Sequence, residues 1–188
     1  MERDIGAARP TTRPPPNMHS KSRSSCLDPR HANQSGAPVW RPVWYEFPDQ
    51  DAFYATETEG LLGPALLSRP VLEQGAASVR VDLPAGVPWF DYWTGRVVDG
   101  GASFDLPVTM DSVPLYLRGG SIVPRRDRAR RSTQQMHGDP VTLVVSLDGQ
   151  GRAEGDLYMD DGRSFAFMVS DWWIGAVSLV LPLTPAAS

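Results

Sequence analysis

The neighbouring carboxylates Asp160 and Asp161 are the first residues in this chain whose pairing suggests chemistry. Hydrolysis of a glycosidic bond uses two carboxyl groups, about 5–5.5 Å apart for retention and about 6.5–9.5 Å apart for inversion. Adjacent residues on an extended strand point to opposite faces, so this pair is a poor match for one sugar. Followed by Gly162, it reads as a hairpin turn. His31, His137 and the single cysteine Cys26 do not make a recognisable metal set, which needs three or four convergent ligands. A lone cysteine also leaves no intrachain disulfide. No GxSxG elbow supports a Cys–His or Ser–His nucleophile. The sequence therefore assigns no catalytic, cofactor-binding or metal-binding residue, and no cofactor is expected.

Three other groups of residues invite a binding role. Gly119-Gly120 follows an apolar stretch, but no GxGxxG precedes it and SIVP follows it, so it reads as a tight strand crossing rather than a phosphate cradle. Residues 125–131 hold five arginines, a density that suits phosphate contacts. The chain as a whole carries net charge -4, and its acidic excess falls after residue 36, so neither nucleic acid nor an anionic membrane is expected as a partner. The run reads instead as a solvated loop or an interdomain ion-pair surface. Trp40, Trp44, Trp89, Trp93, Trp172 and Trp173 suit either sugar stacking or a β core, and their spacing does not distinguish the two.

The elements that would position these residues are short. The chain's 18 prolines and 17 glycines favour turns and β structure over long helices. Residues 1–36 show no hydrophobic period and contain Pro14-Pro15-Pro16; they read as a disordered leader. The glycosylation triplet Asn33-Gln34-Ser35 within it reads as a chance match. Order is expected from Pro38, where PVWRPVWYEF is β-prone although Pro42 limits its ladder. LLGPALLSRPV fits a brief buried strand or an irregular wall, with helix an option over 57–62. Residues 78–83 alternate Val79, Val81 and Leu83 with polar neighbours, the mark of a strand with one wet face. Asp148-Gly149 and Asp161-Gly162 read as hairpin turns. The final segment WWIGAVSLVLPLTPAAS, apolar for about ten residues and then polar, reads as a last strand, a frayed tail or an aberrant terminus. There is no apolar stretch of signal-peptide type at the start and no run of 18 apolar residues.

Five pieces from Pro38 onward occur in an order that resembles glycoside hydrolase family 31: PVWRPVWYEFPDQ (38–50), LLGPALLSRPV (61–71), VRVDLPAGVPWFDYWTG (79–95), LPVTMDSVPLYLRGGSIVPR (106–125) and GRAEGDLYMDDGRSF (151–165). The basic run followed by RRSTQQMHGDPVTLVVSL (130–147) is similar to that family's branch of glucosidases that trim N-glycans. The resemblance implies a mainly β fold: a C-terminal antiparallel β-sandwich region with a remnant of a (β/α)8 barrel on its N-terminal side. It divides the chain into a leader (1–36), the end of the barrel (37–72), a proximal sandwich (73–135) and a truncated distal sandwich (136–188).

The same resemblance implies that the complete enzyme removes terminal α-linked glucose with retention. It would work in the endoplasmic reticulum lumen, with carbohydrate as substrate and a non-catalytic β subunit as a possible partner. The family's nucleophile and acid/base lie on barrel segments upstream of the Arg41-Pro42 motif, so neither role passes to Asp111, Asp160 or Asp161. By resemblance, Arg41 and Pro42 shape the barrel rim, Trp89 and Trp93 anchor the proximal sandwich, and 118–124 form its barrel-facing join. The chain is thus expected to be an incomplete, non-catalytic family member. The alternative is a stand-alone carbohydrate-binding or regulatory sandwich.

Overall fold

The computed structural model describes residue 32 and residues 36–109, 111–159 and 173–180, with Tyr158 and 173–180 as backbone only. Most of the expected leader, with Cys26, His31 and the Asn33 triplet, lies outside the described residues, as do Asp160, Asp161, Gly162 and Trp172.

The described chain forms three stacked β layers. The central sheet has the order β1-β2-β3-β8-β5-β6 and is antiparallel throughout. Its strands are β1 (Trp40–Pro42), β2 (Gly60–Leu62), β3 (Leu66–Ser68), β5 (Trp89–Asp91), β6 (Val97–Val98) and β8 (Leu115–Arg118). A ribbon of β4 (Ser78–Asp82) and β7 (Ser103–Pro107) covers one face. The other face packs on a four-stranded sheet of order β10-β9-β11-β12, made of β9 (Ser121–Arg125), β10 (Thr142–Ser146), β11 (Arg152–Met159) and β12 (Trp173–Val180).

Burial on two faces explains the continuous apolar text of β3 and β8, since a strand covered on both sides cannot alternate. Leu67 and Tyr116 point into the core shared with Val79, Val81 and Trp89 of the ribbon side. Leu66, Leu115 and Leu117 point the other way, toward Val123 and Val144. β4, with one dry face, alternates as its sequence does: Val79 and Val81 are buried, while Ser78 and Arg80 are exposed. The mainly β architecture is therefore present, antiparallel except where β11 pairs with β9 in parallel. The central sheet draws strands from both 37–72 and 73–135, and the outer sheet joins β9 to strands from 136–188.

Three local expectations need correction. Residues 57–62 are not helical: Gly60 to Leu62 pair with Pro42 to Trp40, and Gly60 lies so close to the Trp40 ring that a Cβ there would sit 2.6 Å from Cζ2. The LLGPALL segment is a hairpin of β2 and β3, turned at Gly63 with φ +59°. Asp148-Gly149 does not close a hairpin, because β10 and β11 lie on either side of β9. There Asp148 Oδ1 accepts the N–H groups of Gln150 and Arg152, both at 2.8 Å, and the positive φ falls on Gly151. Pro42 sits at the end of an edge strand, where its missing N–H removes no ladder bond. It leads straight into the single turn α1 (Val43–Glu46).

Between β8 and β9 the chain leaves the central sheet and enters the outer one within two residues, Gly119 and Gly120. Gly119 donates to Pro88 O at 2.7 Å and Gly120 to Ser146 O at 2.8 Å. The buried Ser146 hydroxyl bridges the crossing, reaching Arg118 O at 2.7 Å and Ser121 O at 3.0 Å. A Cβ on Gly119 would lie 2.6 Å from Pro88 Cγ and 2.9 Å from Leu147 O, while one on Gly155 would lie 2.2 Å from Ile122 O.

Gly119→Ala and Gly155→Ala are expected to lower the unfolding free energy by roughly 2–4 kcal/mol, because backbone atoms must shift to admit the methyl group. Gly149→Ala meets nothing within 4 Å and is expected to change stability by less than about 1 kcal/mol. Urea unfolding of the three variants checks this ranking, and equal midpoints for all three would contradict it.

Candidate functional site

Among the clefts on the described surface, two gather polar side chains. The larger, about 450 Å³, is lined by Arg41, Arg118, Gly119, Asp148, Glu154 and Asp156, among others. Arg41 and Arg118, which line it, belong to an ionic network that ties the first strand to the crossing. Glu46 on α1 accepts from Arg41 Nη1, and its second oxygen lies 3.5 Å from Arg118 Nη1. Arg41 also donates from Nε to Pro38 O at 2.8 Å. Both guanidinium groups rest on rings, Arg118 at 4.7 Å from the Phe47 centroid and Arg41 at 5.5 Å from that of Tyr45. One carboxylate held by two such cations is a structural clasp, well suited to fix β1, α1 and β8 together.

The smaller cleft, about 200 Å³, lies beside β5 and is lined by Asp91, Trp93, Leu106, Asp111, Ser112 and Pro114, among others. Asp91 Oδ1 accepts from Trp93 N at 2.9 Å, Thr94 N at 2.7 Å and Thr94 Oγ1 at 2.9 Å, which closes the turn after β5. Trp93 remains 43% exposed, with Nε1 donated to Val113 O at 2.6 Å.

A glycosidic general acid needs a carboxyl that stays protonated near neutrality and faces the bond to be cut. Glu59 has the first property and lacks the second. Burial, then the charge of Asp82, pushes its pKa from 4.5 to about 7, against a backbone hydrogen bond from Asp82 and the Arg69 guanidinium. It is 4% exposed, lines neither cleft, and its Oε2 meets no hydrogen-bond partner among the described residues. Its place is the open edge of β4, where Arg69 Nε also donates to Arg80 O at 2.9 Å. Glu59 and Arg69 thus cover backbone groups that the two-stranded ribbon leaves unpaired. The neighbouring Tyr116 hydroxyl is pushed up to about 12 by burial and by the charges of Asp91 and Glu59.

Three arginines of the run, Arg125, Arg128 and Arg130, pair with carboxylates of the same loop, and Arg125 also lies over the Tyr92 ring at 5.9 Å. Arg125 Nε lies 2.9 Å from Asp127 Oδ1, and Arg130 grips Asp139 with two bonds of 2.9 and 2.7 Å, joined by Arg128 at 3.4 Å. These pairs hold the Asp139 carboxyl below the usual carboxylate range, the Arg130 hydrogen bonds contributing most. Arg126 has an interaction partner as well.

Among the tryptophans, Trp89 is fully buried with Nε1 donated to Pro84 O at 2.9 Å, whereas Trp93, expected beside it as an anchor, stands at the surface. Trp40 and Trp44 are exposed together with Tyr45 near the β1 edge. His137 ends a 3₁₀ turn spanning Thr133–Met136, and Asp111 sits in a turn on the smaller cleft. Sequence reasoning missed Glu59 and Glu46, each of which reads as an ordinary surface glutamate. Among the described residues, no three His, Cys, Asp or Glu side chains are grouped to hold a metal ion, and no helix is long and apolar enough to cross a membrane.

Residues 36–123 match the family described as glycosyl hydrolase family 31 C-terminal domain. The probable glucan 1,3-alpha-glucosidase of Oryza sativa subsp. japonica is 46% identical over 138 residues, 73% of this chain and 15% of that protein. Neutral alpha-glucosidase AB of Homo sapiens is 43% identical over 137 residues, 72% of this chain and 14% of that one. A crystal structure of the ER glucosidase II heterodimeric complex, comprising the catalytic subunit and the binding domain of the regulatory subunit, matches with TM-score 0.75 and 34% identity. The match covers 79% of this chain and 16% of that one. The chain thus spans about 15% of the length of the curated relatives it matches.

Glu59 makes stability depend on pH in a defined direction. The unfolded chain releases this proton near 4.5 and the folded chain near 7, so between those values the folded state binds more protons and stability falls as pH rises. The full cost above pH 7 is roughly 3 kcal/mol. Glu59→Gln is expected to flatten the profile between about pH 5 and 8 and to be the more stable protein at pH 8. Urea midpoints of both proteins at the two pH values test this, and parallel profiles would contradict it.

Proposed function

Residues 36–123 belong to glycosyl hydrolase family 31 as its C-terminal domain, and we propose that this chain serves as the non-catalytic C-terminal body of an α-glucosidase. The observation that carries the reading is the surface around β1. This edge strand is unpaired on its outer side among the described residues, and exposed Trp40, Trp44 and Tyr45 gather beside it above the Arg41–Glu46–Arg118 clasp. An unprotected edge with a cluster of large aromatics is a surface suited to another folded body rather than to water. In this reading 37–72 carry the join to the catalytic barrel, 73–135 the proximal layer and 136–188 the distal one.

The complete enzyme would remove terminal α-linked glucose by the two-carboxylate retaining route. One carboxylate attacks the anomeric carbon, a carboxylic acid protonates the leaving oxygen, and water resolves the glycosyl-enzyme. The chain's residues would take no covalent part in these steps. Asp148 and Asp91 are committed to backbone turns, and Glu59 is buried at the open edge of β4. By the resemblance of 130–147 to glucosidases that trim N-glycans, and by similarity to the ER glucosidase II complex, the complete enzyme would trim N-glycans in the endoplasmic reticulum lumen beside a regulatory subunit.

The purified, folded chain is expected to show no turnover of an aryl α-glucoside or an α-1,3-linked glucose disaccharide from pH 5 to 8. A D160N/D161N variant serves as the control, because that pair lies outside the described residues. Turnover by the parent chain that disappears in the variant would overturn the reading.

A further inference from the structure

We propose that the cleft beside β5 binds one neutral hexopyranose ring, with Trp93 as its stacking platform and the carboxylates of Asp91 and Asp111 as acceptors for sugar hydroxyls. Three features together suit Trp93 to this role. Its indole is fixed, because Nε1 donates to Val113 O at 2.6 Å and the ring stands edge-on to Tyr92, with centroids 5.0 Å apart and planes at 88°. The ring is nevertheless 43% exposed, so ordering it costs nothing further when a ligand arrives. It also lines a cleft of about 200 Å³, a volume that accommodates one sugar ring, rather than standing on an open face.

The polar groups of the cleft are arranged to accept. Asp91 is positioned by three hydrogen bonds to its Oδ1, and Asp111 is an exposed carboxylate on the same cleft. The Ser112 hydroxyl, 2.8 Å from Thr109 N and 3.1 Å from Thr109 Oγ1, holds the turn that carries Asp111. A pyranose presents an apolar C–H face to an indole and a rim of hydroxyl donors to carboxylates, where charge-assisted bonds are strong. Two carboxylates disfavour an anionic sugar by like-charge repulsion. A cation cage would enclose its guest between several rings, and here one ring lines the cleft.

The test is a titration of the full 188-residue chain, ¹⁵N-labelled, with methyl α-glucopyranoside, read by ¹⁵N–¹H spectra. The Trp93 indole signal, identified by its loss in Trp93→Phe, is expected to shift saturably. Trp93→Phe keeps an aromatic face and is expected to retain binding, read at the amides of the Asp91–Thr94 turn. Trp93→Ala is expected to weaken binding by about tenfold or more, and Asp111→Ala by about threefold. Asp111 is exposed, so its variant tests the site without touching the core. Methyl α-glucuronide is expected to bind more weakly than the glucoside. Absence of a saturable shift in a folded sample, undiminished binding by Trp93→Ala, or tighter binding of choline than of the glucoside would each overturn the proposal.

Discussion

The architecture depends on a backbone crossing that has no room for a side chain at Gly119 and takes a φ of +88° at Gly120. At Gly119 and Gly120 the chain passes from the central sheet to the outer one, and Gly155 brings β11 against Ile122 beside it. Steric exclusion at Gly119 and Gly155 sets how closely the two sheets approach, and that approach brings Leu66, Leu115 and Leu117 together with Val123 and Val144. The crossing also fixes Arg118, whose guanidinium reaches Glu46 while its carbonyl is held by the Ser146 hydroxyl. The clasp that positions β1 is therefore anchored at the crossing.

Charge is distributed to serve the same arrangement. Glu46 and Asp139 each face two arginines, the first joining β1, α1 and β8 and the second closing the loop between β9 and β10. Glu59 is different, because it is buried near a second carboxylate and is more easily accommodated when protonated. Its contribution is to shield an edge of the ribbon that would otherwise present bare backbone. Glu59 and Asp139 are among the buried polar groups, and each is placed where its contacts join or cover elements of the fold.

The layers themselves were legible in the sequence, since alternation at Val79 and Val81 marks one dry face and the unbroken apolar text at 65–67 and 115–117 marks two. The crossing was legible as well, because paired glycines between apolar segments have few other uses. Pairing partners were not legible. Asp148-Gly149 carries a hairpin signal, yet a local turn motif does not report that β9 occupies the space between β10 and β11. Glu59 was hidden for a similar reason: its burial is produced by β4, which lies some twenty residues further along the chain. Trp89 and Trp93 are four residues apart in a single motif, and only tertiary placement makes one core and the other cleft wall.

In the proposed role this chain is a mount: a three-layer β body whose exposed aromatics around β1 would meet a catalytic partner. Isothermal titration of the chain against the remainder of the Oryza sativa relative, the part outside the stretch matched here, tests that claim most directly. The expected result is an equimolar complex that weakens when Trp40 and Trp44 are replaced by alanine. Two folded proteins that show no heat of association and no complex at any concentration tried would contradict it.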